Sequence, residues 1–126
     1  MFENCKKVER TINNRHVTFQ SINTTNTGVI CERDDGYVYL ISYNTCVAVY
    51  EISRHRLYRT WTGYSATTAK HVGLFCKYIN EKYNDGLCAF TYFDWKNRTS
   101  YELDKMEYAW LDAVVRETRL RIRYKR

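Results

Sequence analysis

Residues 57–72, LYRTWTGYSATTAKHV, change their hydrophobic period half way along. Large apolar and polar residues alternate up to Trp61, as on a half-buried strand. From Ser65 the apolar positions fall three and four residues apart, as on one face of a helix. Thr62-Gly63-Tyr64 lies between the two patterns. The segment therefore predicts a strand, a tight turn and a helix that covers a sheet, and we call the turn the joint.

Turn-forming residues divide the chain before the joint into β-rich runs. Residues 15–22 place Val17 and Phe19 on one face of a strand, and Asp34-Asp35-Gly36 is a strong signal for a tight turn. Residues 37–52 are too many for one ordinary strand and predict a break at residues 42–45. The first half of the chain thus predicts a meander of antiparallel strands.

Two helices and a β-rich segment are predicted after the joint. The first helix covers about residues 65–83, with a hydroxyl side chain at its N-terminus and an apolar stripe at helical spacing. Residues 87–95 are aromatic and β-rich, and a second helix follows at about residues 100–117. We therefore expect one α+β domain over residues 1–126: an antiparallel β-meander of about four to six strands packed against these two helices, with a basic C-terminal strand or tail.

Composition limits the class of protein. The chain of 126 residues is 44% hydrophobic, which is too apolar for a disordered chain, and it contains neither an apolar run of membrane-spanning length nor a signal-peptide core. Its five cysteines are odd in number, and no two have metal-ligand spacing. We expect a soluble intracellular protein whose cysteines are small buried residues in a reducing compartment, with no metal and no cofactor.

The positive charge is concentrated at the C-terminus. Residues 116–126, RETRLRIRYKR, carry +5 of the net charge of +6, which leaves +1 for the first 115 residues. Cationic and apolar residues alternate there, which indicates a strand with one basic face. This strand is either an edge strand whose charges prevent aggregation, or it carries a row of cations that contacts phosphates or an acidic protein surface. A frayed helical end is a third alternative. The candidate binding residues are Arg116, Arg119, Arg121, Arg123, Lys125 and Arg126.

Tyrosine is the second candidate binding residue, because twelve tyrosines cannot all point into so small a core. Tyrosine and arginine anchor protein interfaces, and both stack on unpaired bases. The residues predicted to contact a partner protein or a nucleic acid are therefore Tyr43, Tyr58, Arg59 and Tyr64.

No catalytic motif is present in the sequence, and we expect that the protein is not an enzyme. The alternative is a metal-dependent nuclease that uses aspartates such as Asp34, Asp35 and Asp94.

SYNTCVAVYE and LYRTWTGYSATTAKHVGLF together form a pattern that resembles a family of small uncharacterised proteins from phages and prophages of Gram-positive bacteria. The resemblance covers residues 37–79, a third of the chain, and excludes the N-terminal hairpin and the basic C-terminus. It implies no catalytic mechanism. The matching positions are Ser42, Tyr43, Asn44, Thr45, Val47, Ala48, Leu57, Tyr58, Arg59, Trp61, Gly63, Tyr64, Ser65, Thr67, Thr68, Lys70, His71, Val72 and Phe75.

This resemblance implies a protein that acts in the cytoplasm of an infected bacterium, without a membrane. Small phage proteins often block a host machine, so the leading hypothesis is a non-enzymatic inhibitor of a host defence nucleoprotein, in its most specific form an anti-CRISPR protein that acts on a Cas9-type effector. The alternative is an accessory DNA- or RNA-binding protein that uses the basic C-terminus. An edge strand ending in LRIRY could also pair with a second copy in a homodimer.

Overall fold

The computed structural model describes Phe2 and residues 5–83, 88–97 and 105–118 of the chain. Within these residues six strands come first and three helices follow. The elements are β1 (Lys7–Ile12), β2 (Arg15–Ser21), β3 (Gly28–Arg33), β4 (Tyr37–Ser42), β5 (Thr45–Glu51), β6 (Arg56–Arg59), α1 (Ala66–Tyr83), α2 (Tyr92–Lys96) and α3 (Lys105–Glu117). The predicted α+β class is therefore confirmed.

Each strand pairs antiparallel with its neighbour in the chain, so the sheet order is β1-β2-β3-β4-β5-β6. Asn13 and Asn14 connect the first hairpin with φ of 50° and 64°, a conformation that asparagine tolerates well. The predicted turn at Gly36 is present, with φ of 101° at the glycine. The predicted break is also present, because β4 ends at Ser42 and β5 begins at Thr45.

The two faces of the sheet are covered by different helices. Ile30 and Leu40 pack on one face with Phe75 of α1. Their neighbours in the strands turn to the other face, where Val29 packs in a cluster with Trp110 of α3. Since side chains alternate along a strand, β3, β4 and β5 are buried on both faces and the fold has three layers.

The first helix agrees with its prediction in both extent and orientation. The Ser65 hydroxyl oxygen accepts a hydrogen bond from the Thr68 backbone N–H at 3.4 Å, as an N-cap residue does. Val72, Phe75 and Ile79 of the predicted apolar stripe are buried. Among the described helices, none combines the length and the apolar character that a membrane crossing requires. Trp110 and Val114 likewise confirm the buried face of the second predicted helix, whereas residues 98–104, including its predicted start, lie outside the described residues.

The β-rich segment predicted over residues 87–95 is wrong: its described part, residues 88–95, contains no strand, and α2 forms at its C-terminal end instead. Thr91 and Asp94 form a capping box: each side chain accepts a hydrogen bond from the backbone N–H of the other residue. One of the aromatic residues that suggested a strand attaches the helix to the sheet. The Trp95 indole is buried and donates from Nε1 to the Val47 carbonyl oxygen of β5 at 2.9 Å.

Removal of this cap should destabilise the protein measurably, although α2 has only five residues. We expect Thr91→Ala to lower the free energy of unfolding by about 1 kcal/mol, since an N-cap side chain contributes on that scale. Urea denaturation followed by circular dichroism measures the change. Thr24→Ala, at an exposed turn position, is the matched control and should change stability by less than about 0.5 kcal/mol. Equal stability of the two variants would contradict the role of the cap.

Candidate functional site

The joint is fixed to the sheet by polar contacts from residues 59–63. The Thr60 hydroxyl donates to the Cys46 carbonyl oxygen at 2.8 Å, which continues the β5–β6 pairing beyond the end of β6. Gly63 is required for a close approach, because a Cβ atom there would lie 2.3 Å from the Trp61 ring. The joint therefore has the structural role that the change of period predicts.

Arg59 holds the joint against α2. Its guanidinium lies over the Trp95 ring at 4.3 Å and donates to the carbonyl oxygens of Trp61 at 2.9 Å and Lys96 at 2.6 Å. A third donated bond reaches the Gly63 carbonyl oxygen at 3.4 Å. The contact of Arg59 with a partner stays a prediction. Because its N–H groups donate to the protein's own backbone carbonyl oxygens, Arg59 is not included in the candidate surface.

Two exposed aromatic residues lie close to this arginine. Tyr64 directly follows Gly63, and Phe93 lies one helical turn before Lys96. Because the Arg59 guanidinium contacts the carbonyl oxygens of both Gly63 and Lys96, the two aromatic residues are on the same part of the surface. Tyr64 is 76% exposed and Phe93 65% exposed.

Tyr43 approaches the first turns of α1 from the β4–β5 turn. The preceding Ser42 bonds to Thr68, and the Tyr43 ring centroid is 6.0 Å from that of His71. Tyr43 is 47% exposed. Tyr43 and Tyr64 thus flank the first turns of α1, and Phe93 belongs to α2, which packs against α1. We call this surface the aromatic rim; it consists of Tyr43, Tyr64 and Phe93.

The backbone of Tyr43 is in an unfavourable conformation. Its φ is 57°, in the left-handed region that glycine and asparagine adopt far more readily than aromatic residues do. An asparagine would adopt this conformation at position 43 with less strain. A strained tyrosine at a turn is an observation that suggests a role for its side chain outside folding.

A buried hydrogen-bond network joins the β4–β5 turn to α1. The Ser42 hydroxyl is 2.8 Å from both Thr68 Oγ1 and His71 Nδ1, and all three residues are less than 5% exposed. On the far side of the imidazole, Nε2 lies 3.4 Å from Asn23 Nδ2. We call this set the polar latch: Ser42, Thr68, His71 and Asn23.

The direction of these hydrogen bonds argues against a catalytic serine–histidine pair. The Asn23 side-chain oxygen accepts from the backbone N–H groups of Thr27 and Gly28, so its NH₂ group faces His71 Nε2. The tautomer in which His71 Nε2 accepts from Asn23 places the imidazole proton on Nδ1, where it is donated to the Ser42 oxygen; Thr27 Oγ1, 3.5 Å from Nε2, can donate to the same ring nitrogen. A general base would instead accept the serine proton. In this tautomer His71 takes no proton from Ser42, and the polar latch ties the β4–β5 turn to α1.

A second polar cluster anchors the C-terminal half of α1. The Glu32 carboxylate of β3 accepts from the hydroxyls of Tyr78 at 2.7 Å and Tyr83 at 2.8 Å, and from Lys82 Nζ at 2.6 Å. Burial, followed by the hydrogen bonds to Glu32, raises the pKa of both phenols. Burial alone would lower the pKa of Lys82, but the hydrogen bond and charge of Glu32 outweigh it and raise that pKa.

An open cleft of about 270 Å³ lies beside this cluster. Glu32 is already engaged by three donors, and Asp34 accepts from the His16 backbone N–H at 3.1 Å. Among the described residues, no group of three or more His, Cys, Asp or Glu side chains is placed to hold a metal ion, there or elsewhere. The cleft thus offers polar walls without a recognisable catalytic arrangement. Its lining residues are His16, Thr18, Glu32, Arg33, Asp34, Gly36, Ile52 and Tyr83.

The remaining predicted site residues are dispersed. Tyr58 is 6% exposed on the α3 face of the sheet and donates its hydroxyl to Glu51, so its ring is unavailable to a partner. Arg116 is exposed in the last turn of α3, across the sheet from α1. Residues 119–126 hold the other candidate cations, and these lie outside the described residues. They are Arg119, Arg121, Arg123, Lys125 and Arg126.

The cysteines are free, and the expectation that all five are buried is confirmed for three and wrong for Cys88 and the half-buried Cys5. Burial raises the pKa of the Cys46 and Cys76 thiols to about 12, and it also raises that of Cys31, so all three are inert at neutral pH. Cys88 is exposed.

The sequence analysis did not identify Phe93 as a candidate binding residue, because Phe93 lies in the segment interpreted as a strand. The Thr91-x-x-Asp94 capping pattern would have predicted the helix that carries it.

A protein-family model matches the part of the chain that contains most of these features. A family model described as a family of unknown function, DUF8033, matches residues 7–88. The chain belongs to this family. The match includes the sheet, the joint, α1, the polar latch and two residues of the aromatic rim, Tyr43 and Tyr64. It also includes the β1–β2 hairpin, which corrects the narrower resemblance over residues 37–79. No curated protein and no solved structure matches the chain.

Loss of the Ser42 hydroxyl should destabilise the fold. Ser42→Ala would leave the buried His71 Nδ1–H without its acceptor, and we expect the free energy of unfolding to fall by about 1–3 kcal/mol. Urea denaturation measures the change. Ser53→Ala, at an exposed position of the β5–β6 turn, is the matched control and should stay within about 0.5 kcal/mol of the wild type. A Ser42→Ala variant as stable as this control would refute the polar latch.

The Glu32 cluster predicts alkaline instability. The folded protein keeps its phenol and ammonium protons beyond about pH 10, where an unfolded chain releases them. The stability they contribute is therefore present below that pH and is lost as the pH rises through the raised pKa values. We expect the urea midpoint to fall from about pH 10 upward, and to fall less steeply in Glu32→Gln than in the wild type or in the exposed control Glu81→Gln. Equal slopes for all three proteins would be inconsistent with this coupling.

Proposed function

We propose that this protein is a non-enzymatic binding module that inhibits a host defence nucleoprotein, in its most specific form an anti-CRISPR protein that acts on a Cas9-type effector. The phage context of the proposal rests on the resemblance of residues 37–79. The observation that carries the binding role is the aromatic rim, in which Tyr43 and Tyr64 beside the start of α1 and Phe93 of the adjoining α2 are large and exposed.

The rim has the properties of an interface anchor. Aromatic side chains contribute much contact area for little loss of conformational entropy, and they dominate the binding free energy of many interfaces. Each rim residue is attached to a fixed element: Tyr43 to a two-residue turn, Tyr64 to the joint and Phe93 to α2. A partner would therefore meet a surface that is already organised, which lowers the entropic cost of binding.

The charge around the rim suggests the character of the partner. Lys70 of α1 and Lys96 of α2 are exposed on the elements that carry or adjoin the rim, whereas +5 of the net charge of +6 belongs to residues 116–126. A protein that mimics DNA phosphates should be strongly acidic, so mimicry of the duplex is disfavoured. A basic module with exposed aromatic residues is suited to guide RNA, bound DNA or an acidic protein surface within a nucleoprotein.

Direct nucleic-acid binding is the second candidate function. Exposed Lys70 and Lys96 on the elements that adjoin the rim favour it, because single-stranded nucleic acids bind to cationic surfaces with aromatic platforms. The predicted basic row of residues 119–126 would add phosphate contacts. The two functions differ in salt dependence, since phosphate contacts weaken steeply with salt and an apolar protein interface does not.

The decisive experiment measures retention and inhibition of purified Cas effectors, each with and without guide RNA. We expect the wild type to bind at least one effector and to block DNA cleavage. Tyr64→Ala and Phe93→Ala should each weaken that binding by about tenfold or more, equivalent to about 1.4 kcal/mol, because interface aromatics contribute on this scale. Circular dichroism should show both variants folded.

Lys77→Ala, at an exposed position on the middle of α1, is the control and should bind as the wild type does. If no effector is retained or inhibited, the anti-CRISPR form of the proposal is wrong. If binding occurs but the rim variants bind as tightly as the control, the rim is not the contact surface. Binding to protein-free RNA or DNA that disappears at high salt would favour the second candidate function.

A further inference from the structure

The strand β1 forms one edge of the sheet. Among the described residues it pairs only with β2, and Lys7, Glu9 and Thr11 along it are exposed. An exposed edge carries backbone N–H and C=O groups that can pair with another strand. The edge is therefore a candidate surface for β-augmentation, in which a second strand extends the sheet.

The hydrogen-bond pattern identifies which backbone groups face outward. The Ser21 N–H donates to the Lys6 carbonyl oxygen at 2.8 Å, so this position is a hydrogen-bonded pair of the β1–β2 ladder. In an antiparallel pair such positions alternate, and the backbone groups of Lys7, Glu9 and Thr11 therefore point away from β2. An exposed side-chain contact agrees, because Arg10 Nη1 donates to the Glu9 carbonyl oxygen at 2.9 Å.

The side chains on this edge are complementary to a second copy of themselves. If two β1 strands pair antiparallel about a two-fold axis at Val8, Lys7 of each copy lies opposite Glu9 of the other. Opposite charges directly across an antiparallel pair stabilise it, whereas like charges destabilise it. The exposed face of this edge carries both signs of charge, Lys7 and Glu9, so in this register its charges attract a second copy.

We propose that the protein forms a two-fold dimer through β1, with Lys7 of one copy opposite Glu9 of the other and Val8 facing Val8 on the reverse face. Such an isologous contact would join two six-stranded sheets into one continuous sheet. The proposal does not depend on the aromatic rim, which lies at the start of α1, so it is independent of the proposed function.

The same register also predicts that the dimer is weak and sensitive to salt. On the reverse face it places Lys6 opposite Arg10, a like-charge pair that opposes association. Arg10 must also release the Glu9 carbonyl oxygen before a second strand can bind there. Arg10→Thr would remove both obstacles, and we expect this variant to dimerise more tightly than the wild type.

Sedimentation velocity over a range of protein concentrations tests the proposal at low salt. We expect the wild type to dimerise as its concentration rises, and to dissociate when salt is added. Lys7→Glu and Glu9→Lys each place like charges opposite one another twice, and each should weaken dimerisation by about tenfold. When the two variants are mixed, every such pair becomes oppositely charged again, so the mixture should form a heterodimer.

Lys77→Glu and Glu81→Lys make the same charge changes on the exposed side of α1 and should dimerise as the wild type does. A wild type that is monomeric at all concentrations would overturn the proposal. Dimerisation that is unaffected by Lys7→Glu, or two variants that fail to associate when mixed, would equally overturn it, because both results require another register or another surface. The mixing experiment also excludes misfolding as the cause of lost association.

Discussion

Burial of the central strands on both faces is the constraint on which the rest of the structure depends. Because α1 and α3 cover opposite faces, consecutive residues such as Leu40 and Ile41 enter two separate clusters. Each side chain of β3, β4 and β5 must then be apolar or hydrogen-bonded. The polar exceptions obey this rule: Ser42 binds His71, Glu51 accepts from Tyr58, and Arg33 pairs with Asp35. The uninterrupted apolar runs of the sequence follow from it.

This constraint also decides where a binding surface can lie. The faces of the central strands are occupied by the protein's own helices, so a partner that contacts the sheet itself can reach only its ends and edges. One end carries the joint and the aromatic rim, and one edge is β1 with its outward backbone groups. The opposite edge, β6, is short and packs against α2. Binding at the rim and self-association at β1 would use separate surfaces.

The sequence predicted features whose signals are local. The period change at the joint, the cap at Ser65 and the turn at Gly36 each depend on a few adjacent residues, and each is present. The sequence-based prediction was wrong at α2, because the aromatic run there has the composition of a strand. The signal that favours a helix is the capping box, which spans only Thr91 to Asp94. The burial of Tyr58 and the self-contacts of Arg59 could not be predicted, since they depend on which face of the sheet a distant helix covers.

The polar latch stabilises the turn that carries Tyr43 of the aromatic rim. Tyr43 is held at a φ that costs an aromatic residue on the order of 1–3 kcal/mol. The buried bonds of Ser42 on one side, and the Tyr43 N–H bond to the Thr27 carbonyl oxygen at 2.7 Å, offset that cost. An asparagine at position 43 would relieve the strain and leave these bonds in place, so folding alone does not explain a tyrosine there. The ring of Tyr43 contacts His71 and remains 47% exposed, so the proposed contact with a partner would account for a tyrosine at this position.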